Sequence, residues 1–147
     1  MRSKILFTAM ILMAATAAKA DDRFVCSGDD TDVRFTVDVA FGSQQGMHLT
    51  HFRGAVAVKR KGVSAAFGKR IFGSDQLLQS WWRGKTLRLE VLDEGGRETD
   101  QQKLNLVIGA TREDAKDQSF TGKYELTVSG QQEPYKFEGK VYCGQKG

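Results

Sequence analysis

The chain has 147 residues with a formal charge of +4 and a sequence pI near 9.1, and 40% of its residues are hydrophobic. This length suits a single domain with one hydrophobic core. Because one apolar run occurs near the N-terminus and no second run follows, the sequence excludes a membrane protein with several spanning helices.

The N-terminal segment has the order of features that defines a secretory signal peptide. Two basic residues precede a short apolar run that ends in small residues: Arg2, Lys4, the run 5–15 and the tripeptide Ala18-Lys19-Ala20. The run is shorter than the roughly 20 residues that a membrane-spanning helix needs, so a transmembrane anchor is the weaker alternative. We predict cleavage after residue 20, a single mature domain over 21–147, and a periplasmic or secreted location in a bacterium.

The mature chain contains two cysteines, Cys26 near its start and Cys143 near its end. In an oxidising compartment an isolated pair of this kind predicts a disulfide. A disulfide requires the two Cα atoms to lie within about 7 Å of each other, so the first and last strands must be neighbours or nearly so. A closed barrel satisfies this condition, and a two-sheet β-sandwich is the alternative.

Much of the mature chain alternates between apolar and polar residues with a period of two, which is the pattern of half-buried strands. Stretches rich in glycine and acidic residues separate the runs, and short connections between sequential strands favour antiparallel pairing. The predicted fold class is therefore all-β, an antiparallel up-and-down closed barrel of about eight strands. The clearest alternating runs are 33–41, 87–91, 104–108, 120–128 and 135–143.

Basic residues are concentrated in the middle of the chain. Residues 51–90 carry nine basic and two acidic side chains, whereas the mature chain as a whole has a charge of only +1. A surface of one sign attracts anionic partners, although a few charges also serve to keep edge strands from pairing with other chains. We predict a surface that binds an anionic partner, made of Arg53, Lys59, Arg60, Lys61, Lys69, Arg70, Arg83 and Lys85.

One segment, residues 74–84, breaks the strand pattern. Four apolar residues would share one helical face, flanked by residues suited to cap a helix: Leu77, Leu78, Trp81 and Trp82, between Ser74 and Gly84. The pattern predicts a short helix near 75–82 that closes one end of the barrel, and a strand that enters a hairpin at 83–84 is the alternative. We also predict that an exposed indole, from Trp81 or Trp82, is an apolar anchor beside the basic surface.

The last two alternating runs allow their register to be predicted. If Val128 lies opposite Tyr135, antiparallel pairing places Tyr124 opposite Gly139, where the ring would fill the gap that the glycine leaves. The alternative is that such glycines make room for a ligand. Because many inward side chains are large, we predict a filled interior. The remaining pairs would be Leu126 with Phe137, Gly122 with Val141, and Phe120 with Cys143.

No signature of catalysis or of a cofactor is found in the sequence. His48 and His51 are spaced as in some zinc-binding helices, but on a strand their rings would point to opposite faces. The acidic turns lack the spacing of an EF-hand loop, and neither a G-x-S-x-G motif nor a phosphate-binding loop occurs. We therefore predict no catalytic residue, no metal ligand and no cofactor.

These features together predict an exported, non-enzymatic binding or interaction protein of the bacterial envelope, whose partner is an anionic envelope component or an acidic protein. Nucleic acid is not expected as a partner, because no stacking-aromatic motif supports it. The general shape, an exported barrel with a disulfide, is similar to that of bacterial lysozyme inhibitors and lipocalin-like binders. The likeness is one of shape alone, since none of their motifs is matched in this sequence. Two alternatives stay open, an inhibitor of an extracellular hydrolase and, because the inward residues are almost all aliphatic or aromatic, a carrier of a small apolar ligand in the barrel interior.

Overall fold

The structure is a computed structural model that describes residues 21–43, 48–95, 102–130 and 133–146; the predicted signal peptide lies outside them. Within these residues, nine antiparallel strands form one sheet that curls into a nearly closed barrel, so the all-β barrel prediction is confirmed. The strands are β1 (Asp22–Asp29), β2 (Val33–Phe41), β3 (Leu49–Val58), β4 (Arg70–Gly73), β5 (Leu77–Arg83), β6 (Thr86–Asp93), β7 (Lys103–Thr111), β8 (Ser119–Ser129) and β9 (Tyr135–Gln145).

After β3, the next strand position of the barrel is occupied by two short strands, β4 and β5, rather than by one. The strand order β4-β3-β2-β1-β9-β8-β7-β6-β5 places β4 and β5 at its two ends. Because every neighbouring pair is antiparallel, β4 and β5 run in the same direction, and the short 3-10 turn Ser74–Gln76 separates them along the chain. They therefore act as one interrupted strand, which pairs first with β3 and then with β6. With β4 and β5 counted as one, the barrel has eight strand positions, in agreement with the predicted number of about eight strands.

The interruption leaves a discontinuity in the hydrogen-bonded wall, which we call the seam. Strand β4 pairs with β3 only from Arg53 to Val56, so the beginning of β3 has no ladder partner on that side. Strand β5 pairs with β6 and with no other described strand. The seam thus separates β4 from β6 toward one end of the barrel, and the beginning of β3 from β5 toward the other.

The predicted helix near 75–82 is wrong, and the alternative of a strand leading into a hairpin is what the structure contains. The residues that resembled helix caps have other roles. Ser74 begins the 3-10 turn Ser74–Gln76, in which the Gln76 side chain accepts a hydrogen bond of 2.8 Å from the Gly73 amide. Gly84 has a positive φ of 59° in the tight turn between β5 and β6, a conformation that glycine adopts at little cost.

The disulfide between Cys26 and Cys143 is present, as predicted, and it joins the first strand to the last. The two cysteines are direct partners in the antiparallel pairing of β1 with β9. Both are buried in the core. The bond therefore fastens two strands that the sheet already holds together, and the inference that the chain ends must meet is confirmed.

The predicted register of the last hairpin is also confirmed, from Val128 opposite Tyr135 to Phe120 opposite Cys143. A Cβ at Gly139 would lie 2.7 Å from the ring of Tyr124, so that ring does occupy the space the glycine leaves. At Gly122 the close neighbour is different. A Cβ there would lie 1.9 Å from the main-chain oxygen of Gly109, so this glycine leaves room for the main chain of β7.

One contiguous cluster of hydrophobic side chains fills the barrel. Of six large side chains that the alternating pattern places inward, five are buried and Tyr135 packs, partly buried, against the same cluster. The interior is therefore occupied by the protein's own side chains. The five buried residues are Phe35, Phe41, Phe120, Tyr124 and Phe137.

A hydrogen bond from Tyr124 to Asp30 closes one end of the barrel, which we call the loop-59 end because residues 59–69 also lie there. Burial opposes ionisation of Asp30, but hydrogen bonds from the Tyr124 hydroxyl and from the amides of Val33 and Asp32 outweigh it. The pKa of Asp30 consequently lies below its ordinary value. The pKa of Tyr124 is raised, first by burial and then by its bond to this carboxylate.

A buried arginine closes the opposite end, the loop-112 end. The guanidinium carbon of Arg112 lies 4.8 to 5.2 Å from the centroids of three rings, those of Phe24, Trp82 and Phe120. Its nitrogens donate hydrogen bonds of 3.2 Å to the Ala115 carbonyl and to the side chain of Gln145. A cation that is desolvated in this way is stabilised by the negative faces of the rings.

Removal of the disulfide is expected to lower the free energy of unfolding by about 4 to 5 kcal/mol, because the bond joins residues 117 apart and restricts the unfolded chain. The double variant Cys26→Ala, Cys143→Ala should show this loss in urea denaturation. In the native wild type, a thiol probe should find no reactive cysteine. Labelling of either cysteine without denaturant would contradict the prediction.

Acid is expected to destabilise the fold, and Asp30 should carry part of the effect. The pKa values of Asp30 and of Asp38, which accepts two hydrogen bonds from Arg23, lie below the ordinary value of 3.8. Their stabilising contribution is therefore present above that value and is lost as the pH falls through and below it. The shift in urea midpoint between pH 7 and pH 3 should be smaller in Asp30→Asn than in the wild type. The exposed Asp75→Asn is the control, and an equal shift in both variants would contradict the prediction.

Candidate functional site

The structure does not bring the eight predicted cations into one surface. Five of them lie in or beside the loop of residues 59–69, at the loop-59 end. Arg83 and Lys85 flank the turn between β5 and β6 at the loop-112 end, and Arg53 lies in the middle of β3. The basic block of the sequence is therefore distributed along the full height of the barrel.

At the loop-59 end, aspartates of the β1–β2 turn neutralise two of these cations. Lys59 lies 2.9 Å from a carboxylate oxygen of Asp29, and Arg60 lies 3.4 Å from one of Asp32. The hydrogen bond from Lys59 is the largest cause of a lowered pKa at Asp29, with a further contribution from Arg34. These aspartates thus lie against the basic loop and reduce its net charge.

Arg70 has a structural role at the seam. Its guanidinium forms a 2.8 Å ion pair with Asp93, and the two side chains are only 11% and 14% exposed. Since Arg70 begins β4 and Asp93 ends β6, the pair spans the seam where no ladder hydrogen bonds do. The guanidinium also lies over the ring of Phe67, 5.6 Å from its centroid. Arg70 is thus unavailable to a partner.

The remaining cations differ in how free they are. Lys85 donates a hydrogen bond to the main-chain oxygen of Glu113. Arg53, Lys61, Lys69 and Arg83 are exposed, and none forms an ion pair with a described residue. These four residues keep their charge accessible.

The two tryptophans point in opposite directions from β5. Trp82 is 4% exposed and packs beneath Arg112 in the core, so it is not the indole available as an apolar anchor. Trp81 faces outward and is half-buried. The outward indole is therefore that of Trp81 alone of the two.

Two arginines flank the outward indole. Arg83 lies two residues further along the same face of β5, and Arg88 lies directly opposite Trp81 on β6. Both arginines are exposed, and neither forms an ion pair with a described residue. We call these three residues the Trp81 cluster. Arg88 was missed at the level of sequence, although the hairpin alternative for residues 83–84 would have placed it opposite Trp81.

A groove of about 550 Å³ runs along the seam next to the Trp81 cluster. One wall is the beginning of β3 and the other is the second half of β5. Among the described residues, neither segment has a ladder partner on the side that faces the groove. We call it the seam groove. Its lining residues are His48, Leu49, Ser80, Trp81, Trp82, Arg83 and Gly84.

A smaller cleft of about 280 Å³ lies at the loop-59 end, between the loop of residues 59–69 and the hairpin of β8 and β9. The side chains of Phe67 and Val128 form an apolar part of its lining. This volume is near the lower limit for a small-molecule pocket. Since core side chains occupy the interior, this cleft is one place on the surface where an apolar group could bind.

The histidines do not converge on a common site. His48 lines the seam groove, whereas His51 lies on β3 with the outward parity of Arg53. Across the described ranges, no three His, Cys, Asp or Glu side chains are placed to hold a metal ion. In the part of the chain that the structure describes, no helix is long and apolar enough to cross a membrane.

Comparisons of this chain with protein-family models, with curated proteins and with solved structures found no match. Function must therefore be argued from the geometry and chemistry of the surface. Two surfaces that can carry that argument are the seam groove with the Trp81 cluster and the cleft at the loop-59 end.

Loss of Asp93 is expected to destabilise the protein by about 3 kcal/mol, because it leaves the buried charge of Arg70 without its carboxylate. Asp93→Asn should show this in urea denaturation. An apolar pair, Arg70→Met with Asp93→Leu, should recover much of the loss. The exposed control Lys61→Glu, Lys69→Glu should change stability by no more than about 0.5 kcal/mol. Equal midpoints for Asp93→Asn and the wild type would show that the seam does not need this pair.

Proposed function

We propose that this protein is an exported, non-enzymatic binding protein of the bacterial envelope that contacts an anionic partner through the Trp81 cluster. The observation that carries the proposal is the placement of two exposed arginines around one outward indole. Arginine forms paired hydrogen bonds with carboxylate and phosphate groups, and an adjacent aromatic ring adds contact area at low entropic cost.

The pairing of the charges favours the Trp81 cluster over the loop-59 end as the contact surface for an anion. There, two of the predicted cations are paired with aspartates and a third with Asp93 across the seam. At the Trp81 cluster, neither arginine would have to give up an ion pair with a described residue in order to bind. A partner anion would therefore gain more by contact with Arg83 and Arg88 than with Lys59 and Arg60.

Export is supported by two independent features. The first 20 residues have the pattern of a signal peptide, and a disulfide forms and persists in oxidising compartments. The proposal includes the alternative of a hydrolase inhibitor if the anionic partner is an enzyme. A carrier function receives less support, because the core side chains occupy the interior.

The double variant Arg83→Glu, Arg88→Glu should weaken salt-sensitive binding at least tenfold. The probes are vesicles that contain phosphatidylglycerol, lipopolysaccharide, and acidic proteins captured from an envelope extract, each at low and high salt. Lys61→Glu, Lys69→Glu makes the same change in charge at the other end and should leave binding unchanged. Thermal melting of both variants checks that they are folded.

Two results would contradict the proposal. If the wild type binds none of these probes in a salt-dependent manner, the cluster is only a solvated part of the barrel wall. If the control variant loses binding and Arg83→Glu, Arg88→Glu does not, the contact surface lies at the loop-59 end.

A further inference from the structure

The free edge of β5 presents main-chain groups to the seam groove. The two-residue turn Gly84-Lys85 makes Arg83 and Thr86 a hydrogen-bonded pair, and such pairs alternate along an antiparallel ladder. Trp81 is therefore bonded to β6 as well. The N–H and C=O groups of Ser80 and Trp82 must then point away from β6, and both residues line the groove.

These groups have no strand beside them in the described part of the chain. Strand β5 ends the sheet order, and no main-chain hydrogen bond joins Ser80 or Trp82 to a described residue outside the ladder with β6. Across the groove, β3 has no ladder partner before Arg53 on this side. An exposed edge of this kind is a template for an added strand.

The edge has apolar and cationic side chains but no acidic one. No residue that lines the groove carries a carboxylate, whereas Arg83 is exposed there and Arg88 lies across from Trp81. Leu78, the extra residue at the bulge where β5 begins, is 57% exposed. An extended segment with negative charge would therefore be complementary to this edge.

We propose that the seam groove binds an extended acidic peptide segment of a partner protein, which adds as a strand to the free edge of β5. This inference rests on the proposed function and names its partner. Main-chain hydrogen bonds to Ser80 and Trp82 provide affinity, and alternate side chains provide specificity. Residues of one parity face outward, where acidic side chains meet Arg83 and Arg88, and residues of the other parity face the groove.

The probe is an acetylated and amidated peptide of seven residues, with glutamate at odd positions and valine at even positions. Calorimetric titration into the mature, disulfide-bonded protein should show binding that weakens with salt. A matched peptide with lysine in place of glutamate should not bind. Arg83→Glu, Arg88→Glu should weaken binding of the glutamate peptide at least tenfold.

N-methylation separates strand addition from contact by side chains alone. One peptide carries methyl groups on the amides of its three valines, and a second carries them on three of its glutamates. Because alternate amides point to opposite sides of a strand, only one of the two should lose affinity, by at least tenfold. Loss from the valine set indicates antiparallel addition, and loss from the glutamate set indicates parallel addition.

A variant of the protein tests the main-chain hydrogen bonds between the peptide and β5 by removing a donor from β5. Ser80→Pro removes an N–H that faces the free edge, which is a position where an edge strand tolerates proline. It should weaken binding of the glutamate peptide at least fivefold while the protein melts cooperatively. Gln79→Pro, which removes an amide bonded to β6, is the matched variant and should lower the melting temperature.

The outcomes separate this inference from the proposed function. If peptide binding depends on Arg83 and Arg88 but both methylated peptides bind as well as their parent, strand addition is wrong and the proposed function stands. If only vesicles or lipopolysaccharide bind, the partner is not a peptide. If analytical ultracentrifugation finds a dimer that Ser80→Pro disrupts, the edge pairs with a second copy. If nothing binds in a manner that requires these arginines, both proposals are wrong.

Discussion

Hydrogen bonding between β1 and β9 determines where this barrel is incomplete. In many sheets the first and last strands are the edges, but here they pair and a disulfide joins them. The two edges of the sheet are therefore displaced to the middle of the chain, to β4 and β5. The ion pair between Arg70 and Asp93 holds one half of the resulting seam, and the other half remains as a groove. The candidate site thus lies at β5 because the pairing of β1 with β9 leaves the free edges of the sheet in the middle of the chain.

The charges illustrate how folding redistributes a pattern that is read along the sequence. The block of residues 51–90 has seven more basic than acidic side chains, but the turn that follows β1 places acidic groups against it. A further cation, Arg70, is paired with Asp93 across the seam. What remains accessible beside an aromatic ring is a pair of arginines, and one of these was not among the predicted residues. Net charge per segment therefore indicates a kind of partner better than it locates a contact surface.

Much of the fold could be predicted because its determinants are local. Alternation with a period of two predicted the strands, and the glycine at position 139 opposite Tyr124 supported the register of the last hairpin. The helix failed because Leu77, Leu78, Trp81 and Trp82 fit a helical face and a bulged strand equally well. Pairing with β6 decides between them, and that contact is not local. The helix assignment also prevented prediction of the Trp81 cluster. On a helix Trp81 and Trp82 share a face, whereas on a strand they point to opposite faces and Arg88 lies opposite Trp81.

The topology also has a consequence for how the barrel forms. Strands β1 to β4 and strands β5 to β9 are two meanders of sequential neighbours, whose loops are much shorter than the separation between β1 and β9 along the chain. The meanders meet at the pairing of β1 with β9 and at the 3-10 turn Ser74–Gln76. The pairing of β1 with β9 joins residues more than a hundred positions apart. Its formation therefore costs more loop-closure entropy than any other strand pairing. We therefore expect the two meanders to behave as separate cooperative units in hydrogen exchange, with the edge strands β4 and β5 less protected than the strands between them.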